Sequence, residues 1–219
     1  MRLFVIGTDT GVGKTLVAAA LLHKCRERGF TCVGMKPVAA GRGQSGGNED
    51  VDALIAAGNQ AADRRLVNPY FFDEPIAPHI AAEEAGVVMA LSRIKDCFTQ
   101  LSAAADAVVV EGAGGFLVPL GADQDSGDLA RLLGLPLVLV VGMRLGCINH
   151  ALLTQEAIRS RGLTLAGWVA NRVSPDMERF EANLAALRQR LAAPLLGVVP
   201  FLDPPDPAAA ADYLMLPDG

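Results

Sequence analysis

A lysine and a threonine close a glycine-rich stretch near the start of the chain. Residues 3–6 are apolar and β-prone, residues 7–13 are rich in glycine, and Lys14 and Thr15 lead into a helix-forming run at residues 16–22. Glycines let a loop turn its backbone N–H groups toward an anion, and the following helix adds the positive end of its dipole. Lys14 adds a formal charge, and Thr15 adds a hydroxyl suited to Mg²⁺. The stretch predicts a phosphate-binding loop, the alternative being an ordinary strand-to-helix turn.

The spacing of this loop departs from the common pattern. Five residues separate Gly7 from Gly13, whereas the usual phosphate loop has four between its first glycine and the Gly-Lys pair. The loop is therefore one residue longer than usual. The preceding strand and the following apolar helix are still the context that a phosphate loop requires.

Carboxylates elsewhere in the chain could complete a Mg²⁺ site. Glu111 follows three valines and precedes glycines, so it could reach a metal ion held by Thr15 and the phosphates; the alternative is a solvated charge at a strand end. Asp50 and Asp52 lie near a helix start, where an aspartate often serves only as a cap. We favour Asp52 over Asp50 as the second metal carboxylate.

Two further polar residues follow apolar strands. Lys36 could place a second cation opposite Lys14, which suits a reaction that brings two anions together; the alternative is an exposed lysine. Asn171 has an amide that can accept from adenine N6 and donate to adenine N7, whereas guanine requires a carboxylate acceptor. Adenine is therefore favoured, and a structural asparagine in a turn is the alternative.

Residues 145–150 open a helix whose unpaired backbone N–H groups could hold a substrate carboxylate. The alternative for Asn149 is a simple helix cap.

The elements that must position these residues alternate between strands and helices. Strands are expected at residues 3–6, 31–38, 68–72, 107–111, 136–141, 166–170 and 194–199, and helices at about 16–29, 48–55, 81–84, 88–105, 148–161 and 176–191. Strands that are apolar throughout predict an α/β fold of the P-loop type, with a mostly parallel sheet and helices on both faces. Ligands of such sheets bind beyond the carboxyl ends of the strands. Residues 39–47 are expected to form a loop over the site, and residues 203–211 a loosely packed tail.

Length and composition set the class of protein. The 219 residues predict a single domain, 1–219. A net charge of −5 without a basic tract argues against a nucleic-acid partner, and no apolar run approaches the length of a membrane span. The scattered cysteines predict reduced thiols in a cytoplasmic protein; they are Cys25, Cys32, Cys97 and Cys147.

Short motifs along nearly the whole chain resemble those of the dethiobiotin synthetase family. They are GTDTGVGKT at 7–15, MKPVA at 35–39, NPY at 68–70, PHI at 78–80, VEGAGG at 110–115, LGCINHA at 145–151 and GWVAN at 167–171. The resemblance implies a homodimeric ligase that uses ATP and Mg²⁺. It would close the ureido ring of dethiobiotin from 7,8-diaminopelargonate and CO₂ or bicarbonate, through a carbamate and a carbamic-phosphoric anhydride, and release ADP and phosphate.

The resemblance also implies roles for individual residues. Lys14 and Lys36 would be the catalytic residues. Mg²⁺ would be bound by Thr15, Asp52 and Glu111. The nucleotide would contact Thr10, Gly11, Val12, Gly13, Lys14, Thr15, Asp52, Glu111, Gly112, Ala113, Gly114, Asn171, Pro200, Phe201 and Leu202. The substrate would contact Lys36, Ala40 and, from the neighbouring subunit, Gly146, Cys147, Ile148 and Asn149. Ala40 stands where the family pattern has a serine, and Asn183 stands where it has a tyrosine.

A different class of protein shares the same loop-and-sheet plan. Nucleotide-switch ATPases of the partitioning or metallochaperone type act by changing partners rather than by making a small product. These proteins often carry an additional lysine early in the loop, and here that region reads Thr8, Asp9 and Thr10. The missing lysine favours the ligase.

Overall fold

A six-stranded parallel sheet forms the centre of the molecule. The computed structural model describes residues 1–43 and 46–217. Its elements in chain order are β1 (Arg2–Gly7), α1 (Lys14–Glu27), β2 (Cys32–Met35), β3 (Val38–Ala40), α2 (Glu49–Ala57), α3 (Arg64–Val67), β4 (Tyr70–Phe72), α4 (Pro78–Glu84), α5 (Leu91–Ala104), β5 (Ala107–Glu111), α6 (Ser126–Leu133), β6 (Leu137–Met143), α7 (Cys147–Ser160), β7 (Leu165–Arg172), α8 (Phe180–Arg190), β8 (Leu195–Val199) and α9 (Pro207–Ala211). The strand order is β2-β5-β1-β6-β7-β8, and every neighbouring pair is parallel. The predicted mostly parallel α/β fold is confirmed.

Both faces of the sheet are covered, which explains why its strands are apolar throughout. In β1, Leu3 and Val5 pack in a cluster with side chains of α1, α2 and α9. Phe4 and Ile6, which point to the opposite face, belong to a second cluster built with α4 to α8. The longest described helices, α1, α5 and α7, have 14 residues each. None of the helices in the described part of the chain is long and apolar enough to cross a membrane.

The parallel arrangement brings the chemically interesting strand ends to one edge. Val5 pairs with Glu111, and Gly142 pairs with Asn171. Lys36 follows directly after β2, which is the neighbour of β5. The loop between β1 and α1 starts from the same edge, as the sequence predicts.

The predicted second strand, 31–38, is in fact two strands. β2 ends at Met35, and β3 runs over Val38–Ala40 and pairs with β4 in a separate two-stranded sheet. The backbone N–H of Lys36 donates to Val67 instead of extending the β2 ladder, and Pro37 has no N–H to donate. The loop expected at 39–47 therefore begins later than predicted, because Ala39 and Ala40 belong to β3. Gln44 and Ser45 of that predicted loop lie outside the described residues.

The predicted loose tail at 203–211 is also wrong. Residues 207–211 form α9, which Asp206 caps by accepting from the N–H groups of Ala208 and Ala209. Ala210 and Ala211 are buried against α1, whose own alanines allow a close approach. Sequence analysis also missed α6, although Asp125 and Asp128 form a reciprocal capping box at its start.

Candidate active site

Two glycines give the loop between β1 and α1 its shape. Gly11 and Gly13 have φ angles of 70° and 86°, in the left-handed region that favours glycine. A Cβ atom on Gly13 would lie 2.1 Å from Nδ2 of Asn171, so any larger residue at this position would clash with Asn171 as well as strain the backbone. Gly13 is also the N-cap of α1, and the helix begins at Lys14. Loop N–H groups and the helix terminus therefore meet at one point, as expected for anion binding.

Lys14 lies across the loop rather than in solvent. Its ammonium donates to the carbonyl of Asp9 at 2.8 Å, and its side chain is buried. Burial, together with the nearby ammonium of Lys36, lowers the pKa of Lys14 to about 8. The Asp9 carboxylate accepts from the Thr10 N–H at 2.7 Å and from Arg144 at 2.5 Å. Asp9 is therefore held through its carbonyl by Lys14 and through its carboxylate by Arg144.

Thr15, Lys36, Asp50 and Glu111 form one connected polar cluster. The Thr15 hydroxyl lies 2.7 Å from an oxygen of Asp50 and 2.9 Å from Oε1 of Glu111. The Lys36 ammonium donates to Asp50 at 2.8 Å and also to Oε1 of Glu111. Two carboxylates therefore link the phosphate loop to the second lysine.

Burial and charge set the protonation of this cluster. Burial alone would lower the pKa of Lys36, but the carboxylates of Glu111 and Asp50 raise it above its ordinary value. Burial raises the pKa of Glu111, against the opposing effect of Lys36. For Asp50, burial alone would raise the pKa, but Lys36 lowers it overall. Lys36 is 4% exposed and Glu111 is 0% exposed, so the solvated alternatives for both residues are wrong.

The carboxylate that reaches Thr15 belongs to Asp50, whereas the sequence favours Asp52. Asp52 instead accepts from Arg64 at 2.6 Å. The two aspartates are two positions apart in α2, so their side chains leave the helix on different sides. The cap is a third residue, Asn48, whose side chain accepts from the N–H of Val51.

The loop and the polar cluster line a cleft of about 940 Å³. The predicted site residues that line the cleft are Thr10, Gly11, Gly13, Lys14, Thr15, Lys36, Ala40, Glu111, Ala113 and Gly114. Asp50, the aspartate that the sequence does not favour, lines it as well. Further walls come from residues 75–77 and 117–119 and from Asn48, which sequence analysis missed, and from Pro78 of the PHI motif. The prolines at 75 and 119 mark irregular backbone but do not show where in the fold that backbone lies.

The wall formed by residues 116–119 is fixed by a buried serine. The Ser126 hydroxyl donates to the carbonyl of Phe116 at 2.6 Å and accepts from the N–H of Val118 at 3.0 Å. The Ser126 N–H in turn donates to the carbonyl of Val118 at 2.9 Å. Arg161 holds the start of α6 through Asp125 and Asp128. The sequence contains no pattern that predicts these contacts between α6 and the wall of the cleft.

The remaining predicted residues lie outside the lining of the cleft; they are Val12, Asp52, Gly112, Gly146, Cys147, Ile148, Asn149, Asn171, Pro200, Phe201 and Leu202. Asn171 is buried at the end of β7, and its amide donates to the carbonyl of Val12 at 2.9 Å. Gly146, with a φ of 93°, is the N-cap of α7, so the alternative of Asn149 as the cap is wrong. Leu145, just before this helix, is 97% exposed.

This fold and this loop define a P-loop nucleotide-binding protein. A family model described as "AAA domain" matches residues 1–209. Among solved structures, the chain is similar to the MinC:MinD cell division protein complex of Aquifex aeolicus, with a TM-score of 0.58, 16% identity and coverage of 91% of this chain and 81% of that one. It is also similar to the septum site-determining protein MinD complexed with Mg-ADP from Pyrococcus horikoshii, with a TM-score of 0.55, 15% identity and coverage of 96% and 85%. At these identities the likeness shows the fold alone.

Sequence comparison identifies the family. The chain is 57% identical to the ATP-dependent dethiobiotin synthetase BioD of Aromatoleum aromaticum, over 98% of this chain and 96% of that protein. It is 56% identical to the protein of the same name from Nitrosospira multiformis, over 90% and 87% of the two chains. The identity to that from a Janthinobacterium species is 52%, over 96% and 92%. The chain belongs to the dethiobiotin synthetase family and is a ligase.

Proposed function

We propose that residues 1–219 form a single ligase domain that closes the ureido ring of dethiobiotin from 7,8-diaminopelargonate and CO₂, using ATP. The observation that carries this proposal is the convergence of two lysines on one cleft. Lys14 lies on the phosphate loop, and Lys36 is held by the two carboxylates that also face Thr15. A site with two cations suits a reaction between two anions, the γ-phosphate and a carbamate.

The phosphate side of the reaction uses the loop. The backbone N–H groups of residues 10–15 and the start of α1 bind the ATP phosphates, and the Lys14 ammonium moves from the Asp9 carbonyl to a phosphate oxygen. Phosphoryl transfer needs mainly alignment and neutralisation of charge. A general base is therefore not required.

The acceptor side uses Lys36. One amine of the substrate combines with CO₂ to give a carbamate, and Lys36 holds the carbamate oxygen toward the γ-phosphate. Attack at phosphorus releases ADP and leaves a carbamic-phosphoric anhydride. The second amine then attacks the anhydride carbon, phosphate leaves, and the ring closes.

The residues present fit a Mg²⁺ ion beside the phosphates. Oε2 of Glu111 is buried and has no hydrogen-bond partner among the described residues, so one hard oxygen there can still accept a cation. We propose Thr15, Asp50 and Glu111 as the protein ligands, with Asp50 in place of Asp52. The described residues contain no group of three or more acidic, histidine or cysteine side chains arranged for a metal. Two carboxylates are enough here, because Mg²⁺ in phosphoryl-transfer sites commonly binds one or two carboxylates together with phosphate oxygens and water. Bound there, Mg²⁺ would neutralise charge on the phosphates.

The distant carboxylate of the substrate is assigned to a neighbouring subunit. We propose a homodimer in which the N–H groups of Gly146, Cys147, Ile148 and Asn149 at the start of α7 receive that carboxylate. The exposure of Leu145 supports a contact with another chain at this helix end. Ala40 lines the cleft without a hydroxyl, so its side chain offers the substrate a methyl contact and no hydrogen bond.

Two further assignments are proposed. The nucleotide would extend from the loop toward Gly112, Ala113 and Gly114 and toward Pro200, Phe201 and Leu202 at the end of β8. A cytoplasmic location is supported by the cysteines, since all four are free and buried.

The experiment is to incubate the protein with ATP and Mg²⁺ while adding the diamine and bicarbonate separately or together. Phosphate release should require both, and mass spectrometry should detect dethiobiotin. Equal phosphate release without the diamine would refute the proposal. ATP-dependent binding to a protein or DNA with no small product would favour a nucleotide switch instead.

A further inference from the structure

Asp9 puts a carboxylate into a loop that is expected to bind phosphates. The residue lies shortly after Gly7, lines the cleft together with Lys14, and has a side chain that is 47% exposed. A carboxylate at this place would repel the phosphate groups of ATP, because charges of the same sign repel each other. Phosphate binding therefore gives no reason for Asp9, and the residue needs another explanation.

The contacts of Asp9 leave its carboxylate able to accept further hydrogen bonds. Oδ1 accepts from the N–H of Thr10 at 2.7 Å, and Oδ2 accepts from Arg144 at 2.5 Å. An ionised carboxylate has about four positions at which it can accept, so each oxygen can take one more donor. The Arg144 side chain is exposed as well, and exposed ion pairs contribute little to stability. Holding the fold together is therefore a weak reason for this pair.

The other carboxylates of the cleft are already engaged. Among the described residues, the acidic side chains that line the cleft are those of Asp9, Asp50 and Glu111. Asp50 and Glu111 both bond to Thr15 and to Lys36, which are the groups proposed for Mg²⁺ and for the carbamate. The Asp9 carboxylate bonds to neither of them. It is therefore the carboxylate of this cleft that is left for a different partner.

The proposed substrate brings a positive charge into the cleft. One of its two amines becomes the carbamate, and the other stays an amine until the ring closes. An alkyl amine with a pKa close to that of lysine, about 10.4, is an ammonium group at neutral pH. Lys14 and Lys36 would repel this ammonium, whereas a carboxylate on the same cleft would attract it and bind it through a charge-assisted hydrogen bond.

We infer that Asp9 determines the specificity for a diamine, because its carboxylate binds the amine that does not become the carbamate. The inference rests on the proposed ring-closing function and assigns a residue to one part of the substrate. The phosphate loop and Lys36 act on the two reacting anions, so neither of them distinguishes a diamine from a monoamine. Asp9 does.

The test compares the parent protein with Asp9→Asn in calorimetric titrations. The ligands are ATP, the diamine, and two monoamine analogues that keep the carboxylate and each lack one of the two amines. Loss of a charge-assisted hydrogen bond should weaken binding of the diamine by roughly tenfold, and binding of one monoamine by a similar factor. The other monoamine, which lacks the amine that Asp9 holds, should bind both proteins equally. Binding of ATP should not weaken, because the variant removes a negative charge beside the phosphates.

Two further variants separate this role from the ion pair. Arg144→Gln breaks the same pair but leaves the Asp9 carboxylate in place, so the ratio of the two monoamine affinities should stay as in the parent. Glu156→Gln removes another exposed carboxylate that is paired with an arginine, Arg159 of α7. This variant should bind all four ligands as the parent does. Thermal melts report whether each variant is folded.

Three results would overturn the inference alone, provided that the parent makes dethiobiotin. The folded Asp9→Asn variant could bind the diamine as the parent does, it could weaken both monoamines equally, or Arg144→Gln could reproduce its effects. In each case Asp9 does not hold one particular amine. A parent protein that makes no dethiobiotin from the diamine, bicarbonate and ATP would instead contradict the proposed function, and the inference would fail with it.

Discussion

Lys36 and Glu111 form a buried ion pair at the ends of two adjacent strands, β2 and β5. Burying both charges costs desolvation energy, and a packed apolar pair of the same volume is often equally stable or more stable. Stability alone is therefore a weak reason for this pair. The pair lies beside the phosphate loop. A role in neutralising the charges of the reacting anions is therefore the better explanation.

Replacing Lys36 by alanine should slow ring closure strongly while leaving nucleotide binding largely intact. Removing a charge that stabilises a transition state costs about 10²- to 10³-fold in kcat. The ADP affinity should fall far less than kcat, because ADP lacks the γ-phosphate toward which Lys36 holds the carbamate. Turnover and ADP titration are the measurements, and Lys24→Ala, a surface lysine paired with Glu27, is the control. Unchanged turnover would remove Lys36 from the mechanism.

ATP binding should weaken as the pH rises through about 8, the pKa to which burial and Lys36 lower Lys14. Below that pH the ammonium is present to meet the phosphates, and above it the neutral amine is not, so the affinity falls by up to about tenfold per pH unit. Titrations from pH 7 to pH 9.5 test this, because the loss should begin near the pKa and grow above it.

The controls for the pH effect lie at the same position. Lys14→Arg keeps its charge over this range, so its affinity should not fall with pH. Lys14→Ala should bind ATP weakly at every pH and should also turn over slowly. An equal pH dependence in the parent and in Lys14→Arg would assign the effect to another group.

The two aspartates of α2 offer a matched pair of substitutions. Asp50→Asn should raise the Mg²⁺ concentration needed for half-maximal turnover by about 10- to 100-fold, because it removes a charged oxygen beside Thr15. Asp52→Asn should behave nearly as the parent does, since its carboxylate pairs with Arg64. Activity measured against Mg²⁺ concentration decides between them. The reverse ranking would restore Asp52 as the metal carboxylate.

Ser126→Ala should destabilise the protein by about 1–3 kcal/mol, because the Phe116 carbonyl and the Val118 N–H lose their partner at a buried site. Urea unfolding measures the loss. Ser160→Ala is the control, because this exposed hydroxyl bonds to the carbonyl of Ala157 within its own helix turn. A Ser126 variant as stable as the control variant would mean that the cleft wall does not depend on the serine.

Local pattern predicted much of this site, and long-range packing decided the rest. The phosphate loop could be read directly because strand, glycines, lysine and helix are contiguous. Lys36 and Glu111 could be placed at one edge because parallel strands share an edge. The choice between Asp50 and Asp52 depends on how α2 is rotated against its neighbours, and β3 depends on pairing with β4, more than 25 residues further along the chain. Neither the rotation of α2 nor the pairing of β3 with β4 can be predicted from a short stretch of sequence.

The most direct measurement of the central claim follows an oxygen atom from CO₂. If a carbamate oxygen attacks the γ-phosphate in this cleft, that oxygen stays with the phosphate when the ring closes. A reaction started with C¹⁸O₂ and followed before CO₂ exchanges with water should therefore release phosphate carrying one ¹⁸O atom. Dethiobiotin formed together with unlabelled phosphate would contradict the account.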